Sequence, residues 1–218
     1  MKRKYVCLLC FLLFVSAGVF AQKDAKAKEL LDKTSSIFKN AGSMSALFTF
    51  NVKDGSEQIA HSFEGQISIK DDKFYINTPD QDIYFDGKTQ WVYNKSYDEI
   101  NISEPDKKTA QALNPISFFE IYKKDCDYQY IGEKTDTKMQ KVQEIALFPK
   151  NKKEDIKRID IQLNTNDFLP VSFRIFYKND VENNIYIQKF QTQQSFPDSQ
   201  FTFDAQSHPE AEIIDLRK

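Results

Sequence analysis

Apolar and polar residues alternate through much of the chain, most clearly between residues 63 and 103. Apolar or small residues occupy every second position from Phe63 to Ile69, and a period of two places them on one face of a β-strand. The alternation resumes after each of three turn signals, at residues 71–72, 79–80 and 86–87. The pattern predicts an antiparallel meander with one face far more apolar and aromatic than the other.

The connection at Asp86-Gly87 is the clearest hairpin signal in the sequence. Asp-Gly between two alternating runs favours a primed turn, in which both central residues have positive φ. Trp91 and Tyr93 share one face of the outgoing strand, and we expect them to lie with Phe85 on the apolar face. That face must be covered by helices, by a second sheet or by a ligand. The pattern leaves both an ordinary core and a binding cavity open.

The first 21 residues have the features of a cleaved signal peptide. The basic segment Lys2-Arg3-Lys4 precedes an apolar run, and Val19-Phe20-Ala21 ends that run with a small residue suited to cleavage. The run is short for a transmembrane anchor, and Cys10 lies inside it, whereas a lipid-attachment cysteine should end it. We therefore expect an exported, periplasmic protein that is not an integral membrane protein, with a single domain at residues 22–218.

Hydrophobic periodicity predicts one long helix followed mostly by strands. Residues Asp24 to Asn40 carry apolar side chains at helical spacing, and Gly42 suits a C-terminal cap. We count about ten or eleven strands, the last of them at Phe201–Phe203. A sheet of that size curls into a barrel or folds over on itself, so the expected fold class is mainly β (α+β).

A short second helix is predicted where the strands pause. Asn114 suits its N-cap and Pro115 its first position. Its apolar residues include Ile116, Phe118, Phe119 and Tyr122. The helix either plugs the sheet or forms a movable lid over an apolar space, and its residues alone leave both open.

Charge and cysteine content narrow the classes of partner. The chain has 30 basic and 32 acidic residues, and removing the three basic residues of the predicted signal peptide takes the net charge from −2 to −5. This balance argues against nucleic acid and against tight binding to anionic lipid head groups. Cys126 is the one cysteine outside the signal peptide. A single cysteine cannot form a disulfide within the domain, so the stability of the domain must come from its hydrophobic core. We expect Cys126 to be a small buried residue.

Catalytic patterns are scarce. His61 and His208 are far apart, and outside residues 1–21 the metalloprotease, serine hydrolase, Cys-x-x-Cys and phosphate-loop motifs do not occur. The strand spacing of His61 relative to Phe63 predicts a buried core histidine. A hydrolase site made of two carboxylates that are distant in sequence but close in space is not excluded by these patterns. We expect no enzymatic activity, no cofactor and no metal site.

The predicted domain is rich in aromatic residues. The chain has 19 Phe, 10 Tyr and one Trp, and the four in residues 1–21 leave 26 among the 197 residues that follow. Bulky, rigid rings can line a wide sheet interior without filling it, and an acyl chain needs many apolar contacts and few polar ones. A dry core would use the same residues, so the composition allows both.

The hairpin segment Asp86–Asn94, DGKTQWVYN, resembles a hairpin motif of the periplasmic lipoprotein carriers of the LolA family. Other segments resemble family elements in the same order over essentially the whole predicted domain. They are the early helix, Phe48–Phe50, Phe63–Ile67, Asn114–Phe119 and Phe201–Phe203.

The resemblance implies an unclosed antiparallel barrel, covered by the N-terminal helix and short lid helices, with a hydrophobic cavity for the acyl chains of lipoproteins. It also implies transport of acylated lipoproteins from an inner-membrane lipoprotein-release transporter to an outer-membrane acceptor. We expect the carrier to be a monomer. The alternative is a periplasmic lipid-binding sensor or regulatory module on the same scaffold.

Alternation along the strands assigns the cavity and lid residues of this hypothesis. The cavity residues are Phe48, Phe50, Phe63, Ile67, Ile69, Phe74, Ile76, Phe85, Trp91 and Tyr93. The lid residues are Ile116, Phe118, Phe119 and Tyr122. One departure concerns the arginine that helps to hold the family's lid closed: the matching place reads Lys70-Asp71-Asp72-Lys73, so no latch residue is assigned.

Overall fold

The computed structural model describes residues 24–55, 58–106, 109 and 124–217. The predicted signal peptide at residues 1–21 lies outside the described residues, as do the predicted lid residues Ile116, Phe118, Phe119 and Tyr122. Both assignments stay predictions. Within the described ranges, no helix combines the length and the hydropathy that a membrane crossing requires.

The helix α1 (Ala25–Ala41) precedes the strands, which confirms the helix predicted there. The carboxylate of Asp24 caps its start by accepting two backbone N–H bonds, at 2.9 and 3.1 Å. The second carboxylate oxygen accepts the backbone N–H of Tyr130 at 2.9 Å. Gly42, with a φ of 65°, ends the helix. One aspartate therefore both starts the helix and ties it to a strand far along the chain.

Twelve strands form one sheet in the described part of the chain. They are β1 (Ser43–Asp54), β2 (Ile59–Lys70), β3 (Lys73–Asn77), β4 (Gln81–Phe85), β5 (Gln90–Asn94), β6 (Glu99–Ser103), β7 (Cys126–Thr135), β8 (Lys141–Pro149), β9 (Ile156–Asn164), β10 (Pro170–Tyr177), β11 (Val181–Thr192) and β12 (Glu212–Asp215). Their order is β12-β6-β5-β4-β3-β2-β1-β11-β10-β9-β8-β7, and β12 and β6 form the parallel pair in an otherwise antiparallel sheet. Since β12 and β7 lie at opposite edges, the curled sheet is unclosed. The expected mainly β fold is confirmed.

The helix α1 lies on one face of the sheet, which we name the inner face. Its apolar side chains join those of the strands in a single core. The fully or nearly buried members include Ala27, Leu30, Leu31, Phe38, Met44, Ile69, Phe74, Phe85, Ile145, Leu147, Ile161 and Leu163. Burial of each large apolar side chain contributes roughly 1.5–3 kcal/mol to folding, so this layer fixes the helix on the sheet.

The opposite, outer face of β3–β5 is covered by the segment that follows β11. The ring of Tyr93 lies 5.6 Å from that of Phe203 and 4.3 Å from that of His208, and Tyr84 lies 6.0 Å from Phe203. Asp198 holds the start of the segment through two lysines of the β2–β3 hairpin, at 2.8 and 3.0 Å. This region of the sheet is therefore apolar on both faces.

The segment Phe201–Phe203 is not a strand, contrary to the prediction. A 3-10 helix spans Asp198–Phe201, directly after Pro197, and the last strand is β12. The side chain of Phe201 is fully buried. Burial of this ring against the sheet replaces strand pairing, because β3 and β4 already have hydrogen-bonded neighbours on both sides.

Four residues, Asp86–Thr89, connect β4 and β5. The predicted hairpin is confirmed, but the primed turn is wrong: of these residues Gly87 alone has a positive φ, 98°. The carboxylate of Asp86 accepts the backbone N–H groups of Lys88 and Thr89 at 2.9 and 2.7 Å. Asp86 therefore stabilises a longer loop through its side chain.

Candidate functional site

Three phenylalanines form a half-buried group on the inner face. Phe48 and Phe50 lie on β1, and Phe63 lies opposite Phe50 on β2. The centroids of the Phe50 and Phe63 rings are 5.0 Å apart, and those of Phe48 and Phe63 are 6.5 Å apart. We name these three residues the inner aromatic cluster. Because its rings are only half-buried, the cluster retains apolar surface that a ligand can cover.

Gly65 determines where the ring of Phe48 lies. The two residues are paired across β1 and β2. A Cβ atom added to Gly65 would lie 2.4 Å from Cζ of Phe48 and 2.9 Å from the backbone oxygen of Asn77, distances that real Cβ atoms do not show. The phenyl ring therefore lies directly against the backbone of β2, which a residue with a side chain would prevent.

The other predicted cavity residues of β2–β4 divide into two groups. Ile69, Phe74 and Phe85 are 4%, 1% and 3% exposed and belong to the core. The rings of Phe74 and Phe85 stack at 5.2 Å. Ile67 and Ile76 are paired with each other and half-buried. The half-buried pair has apolar surface left to offer, whereas the core group has almost none.

Trp91 and Tyr93 do not lie on the inner face, contrary to the prediction. Trp91 pairs with Tyr84, whereas Phe85 pairs with Gln90. Paired residues of an antiparallel ladder project from the same face, so Trp91 and Tyr93 lie on the outer face with Tyr84. The prediction kept odd-numbered positions facing inward on both strands. A loop with an even number of residues, four here, changes the inward-facing positions from odd numbers on β4 to even numbers on β5.

The same register places two unassigned residues on the inner face. Ile83 and Val92 are paired across β4 and β5, and both are half-buried. The sequence alone could have assigned both residues to the inner face. Ile83 lies two positions before the inward-facing Phe85, and Val92 is its partner once the even number of loop residues is counted. The half-buried apolar surface thus extends from the inner aromatic cluster through Ile67 and Ile76 to these two residues.

Two tyrosine hydroxyls on the outer face have raised pKa values, for different reasons. Burial raises the pKa of the Tyr84 hydroxyl, and the nearby Tyr75 and Asp82 raise it further. A hydrogen bond to the carboxylate of Asp98, at 2.8 Å, raises the pKa of Tyr93. Both hydroxyls therefore keep their protons at neutral pH. These groups stabilise the packing under the C-terminal segment.

Cysteine and histidine side chains show no catalytic arrangement in the ranges described. Cys126 is buried, as expected, and burial raises the pKa of its thiol to about 11. His61 is exposed, so the prediction of a core histidine is wrong. It lies near the start of β2, beside the register shift that follows its partner Val52 on β1. Among the described residues, no group of three His, Cys, Asp or Glu side chains is placed to hold a metal ion.

Known proteins resemble this chain in sequence over most of its length. The family model described as "Outer membrane lipoprotein carrier protein LolA" matches residues 17–178. An outer-membrane lipoprotein carrier protein of Pasteurella multocida is 27% identical over 199 residues, 88% of this chain and 87% of that protein. One of Francisella tularensis is 25% identical over 226 residues, 97% of each chain. An uncharacterized protein of Methanocaldococcus jannaschii is 28% identical over 142 residues, 62% of this chain, which spans only 41% of that protein.

Solved structures share the fold at low sequence identity. A conserved protein from Thermus thermophilus superposes with a TM-score of 0.59 at 10% identity, covering 87% of this chain and 99% of that one. The crystal structure of MucB gives a TM-score of 0.51 at 13% identity, covering 84% of this chain and 64% of MucB. The likeness to these structures concerns the fold, whereas the family match concerns the sequence across most of the chain. On that match, the chain belongs to the outer membrane lipoprotein carrier protein LolA family.

Proposed function

We propose that this protein is a periplasmic carrier that binds the acyl chains of lipoproteins on its inner face and moves them from the inner to the outer membrane. The half-buried aromatic surface centred on Phe48, Phe50 and Phe63 carries the proposal. Membership of a lipoprotein carrier family supports it. The exported location follows from the predicted signal peptide.

The affinity of such a surface comes from apolar area removed from water. Each buried CH₂ group of an acyl chain contributes about 0.8 kcal/mol, so two or three chains supply a large driving force without polar contacts. Only side chains that are still partly exposed can add to it. The binding surface is therefore assigned to the inner aromatic cluster with Ile67, Ile76, Ile83 and Val92. Ile69, Phe74 and Phe85 support this surface from the core.

The carrier hypothesis includes a donor, a cargo and an acceptor. Acylated lipoproteins are the cargo, an inner-membrane lipoprotein-release transporter is the donor, and an outer-membrane protein is the acceptor. The predicted helix with Ile116, Phe118, Phe119 and Tyr122 would act as the lid. We propose that the carrier works as a monomer.

Displacement of an apolar dye by a triacylated lipopeptide tests the binding step. The same peptide without its acyl chains is the control. Saturable displacement by the acylated form alone is the expected result, and equal behaviour of both peptides would contradict the proposal. Trp91 fluorescence is unsuitable as the readout, because Trp91 lies on the outer face.

Two matched substitutions locate the binding surface. Phe63→Glu places a carboxylate in the inner aromatic cluster, and we expect at least tenfold weaker lipopeptide binding. Phe176→Glu is the control, because Phe176 is also half-buried but lies on the outer face with Arg158 and Arg174 near its ring. Both variants should keep the wild-type circular dichroism spectrum. Equal binding by both variants would show that the acyl chains do not contact the inner aromatic cluster.

Transfer of the cargo separates the carrier from a sensor. Loaded protein is mixed with outer-membrane vesicles that contain lipoprotein acceptors, and the lipopeptide is then measured in the vesicles. A carrier transfers its cargo faster than the cargo dissociates into vesicles of lipid alone. Equal rates with both vesicle types would favour the sensor or regulatory module.

A further inference from the structure

A polar groove lies on the outer face of β8–β11, across the sheet from the inner aromatic cluster. It encloses a cavity of about 200 Å³. We name it the outer groove, and its floor and rim include Lys134, Glu144, Gln162, Ser172, Asn184 and Tyr186. The register explains its polarity: Ser172 pairs with both Gln162 and Tyr186, and Arg174 pairs with both Asp160 and Asn184, so these side chains share one face.

The β7–β8 hairpin forms one wall of the outer groove. The carboxylate of Asp136 accepts the backbone N–H groups of Lys138 and Gln140 at 2.9 and 2.7 Å, which shapes the tip. The ammonium group of Lys138 then donates to the side chain of Gln188 on β11 at 2.8 Å. Gln188 in turn donates to the hydroxyl of Thr49 at 2.8 Å. The hairpin is thus held across the groove by side-chain bonds to strands far away in sequence.

The lining of the groove carries three basic and three acidic side chains, Lys134, Lys138 and Arg174 with Asp136, Glu144 and Asp160. Lys134 forms an ion pair with Glu144, Arg158 with Asp160, and Arg174 with Glu182. Burial alone would raise the pKa of Glu144, but hydrogen bonds from Lys134 and Gln162 outweigh this effect and lower it. The carboxylate therefore stays ionised and paired. A groove with balanced charges favours an uncharged ligand over an ion.

Asn184 is a nearly buried polar residue in the lining of the outer groove. It is only 3% exposed and lines the cavity. Its side-chain amide makes no hydrogen bond to any other residue in the described ranges. A primary amide offers two donors and one acceptor, and buried polar groups normally have partners. Ser172, by contrast, is satisfied by its bond to Gln162 at 3.0 Å.

We propose that the outer groove binds one neutral sugar ring through Asn184. A hydroxylated ring both donates and accepts hydrogen bonds, as this amide requires, and it carries no charge that would disturb the ion pairs. The aromatic ring of Tyr186 at the groove supplies an apolar face of the kind that packs on a sugar ring. The cavity is smaller than the roughly 300–1,000 Å³ of sites for drug-sized ligands, so it suits a single ring. The site is independent of acyl binding, because it lies on the other face of the sheet.

Nuclear magnetic resonance tests the proposal on the isotope-labelled full chain. Glucose, galactose and N-acetylglucosamine are titrated separately, and the side-chain amide signals of Asn184 are followed. At least one sugar should shift these signals in a saturable way, whereas glycylglycine, an amide ligand with charged ends, should not. Acylated lipopeptide binding should be unchanged by the sugar, which separates this result from the carrier proposal.

Substitutions with matched controls complete the test. Asn184→Leu keeps the volume and removes the amide, so sugar affinity should fall at least tenfold while the melting temperature stays the same or rises. The control Asn183→Leu changes the next residue of β11, which faces the other side of the sheet and donates to Tyr177. Tyr186→Phe is a milder second variant, and it should weaken sugar binding several-fold.

Three outcomes would overturn the proposal. The first is the absence of a saturable shift at Asn184 with every sugar. The second is binding of glycylglycine in place of the sugars. The third is a lower melting temperature for Asn184→Leu with unchanged sugar affinity, because the amide would then have a structural role. Ordered water alone in the groove would produce the first outcome.

Discussion

Substitution of Gly65 by alanine tests the packing of the inner aromatic cluster. The added Cβ atom would lie 2.4 Å from the Phe48 ring and 2.9 Å from the Asn77 carbonyl oxygen. Overpacking of this kind costs about 1–3 kcal/mol, while loss of glycine's freedom in the unfolded chain returns about 0.4–1 kcal/mol. We therefore expect the free energy of unfolding to fall by about 1–2 kcal/mol.

A double-mutant cycle identifies which contact causes the loss. In a Phe48→Ala background the ring is gone, and only the carbonyl contact of Asn77 opposes the new methyl group. Gly65→Ala should therefore cost less there than in the wild type, with a coupling energy of about 1 kcal/mol between the two sites.

Urea unfolding followed by circular dichroism measures all four free energies. Thermal melts give a second measure, because about 1–2 kcal/mol corresponds to a decrease of roughly 2–8 °C in melting temperature for a domain of this size. An equal cost of Gly65→Ala in both backgrounds would refute the argument, since the Phe48 ring would then not be the group in conflict. A neutral effect in the wild type would also refute it.

Two further predictions concern an acid group and a thiol. Burial alone would raise the pKa of Asp24, but backbone N–H donors of Tyr130, Ala27 and Lys26 outweigh it and hold the pKa below the usual range of an aspartate. The ionised carboxylate therefore stabilises the fold at neutral pH, and this stabilisation is lost as the pH falls through the lowered pKa of the folded state. Urea unfolding of Asp24→Asn should show a deficit at pH 7 that shrinks in acid, and a constant deficit would contradict the assignment. Burial raises the pKa of Cys126 to about 11, so a disulfide reagent at pH 8 should label it slowly in the native protein and rapidly in urea. Equal labelling rates would mean that the thiol is accessible in the native fold.

Local signals in the sequence were sufficient for most elements of the fold. The helix cap at Asp24 and the stop at Gly42 depend on backbone groups a few residues away, so they could be predicted without a structure. The alternation in β2 through β4 likewise identified Phe63, Phe74 and Phe85 as inward-facing. The Phe201–Phe203 segment was predicted wrongly, because its alternation is typical of a strand, whereas in the structure Phe201 is the buried last residue of a 3-10 helix.

Side-chain exposure could not be predicted by the same rules. The period of two does not distinguish Phe85, which is fully buried in the core, from Phe63, which is only half-buried. The difference depends on whether α1 and the curled sheet reach each residue. The candidate acyl surface was therefore predicted as one set of residues, whereas the structure divides it into a core group and a half-buried group.

The sequence by itself determined the helix α1, the succession of strands from β1 to β11, the inward-facing set on β1–β4 and the burial of Cys126. Each of these depends on spacing, capping or apolar character within short segments. The face of Trp91 and Tyr93 was predicted wrongly although the sequence was sufficient, because a turn with an even number of residues, whether two or four, places both with Tyr84. Only the tertiary structure decided the outer groove, whose β7–β8 wall is held by the bond from Lys138 to Gln188, 50 residues further along the chain. Such contacts result from how the sheet curls, which no local pattern encodes.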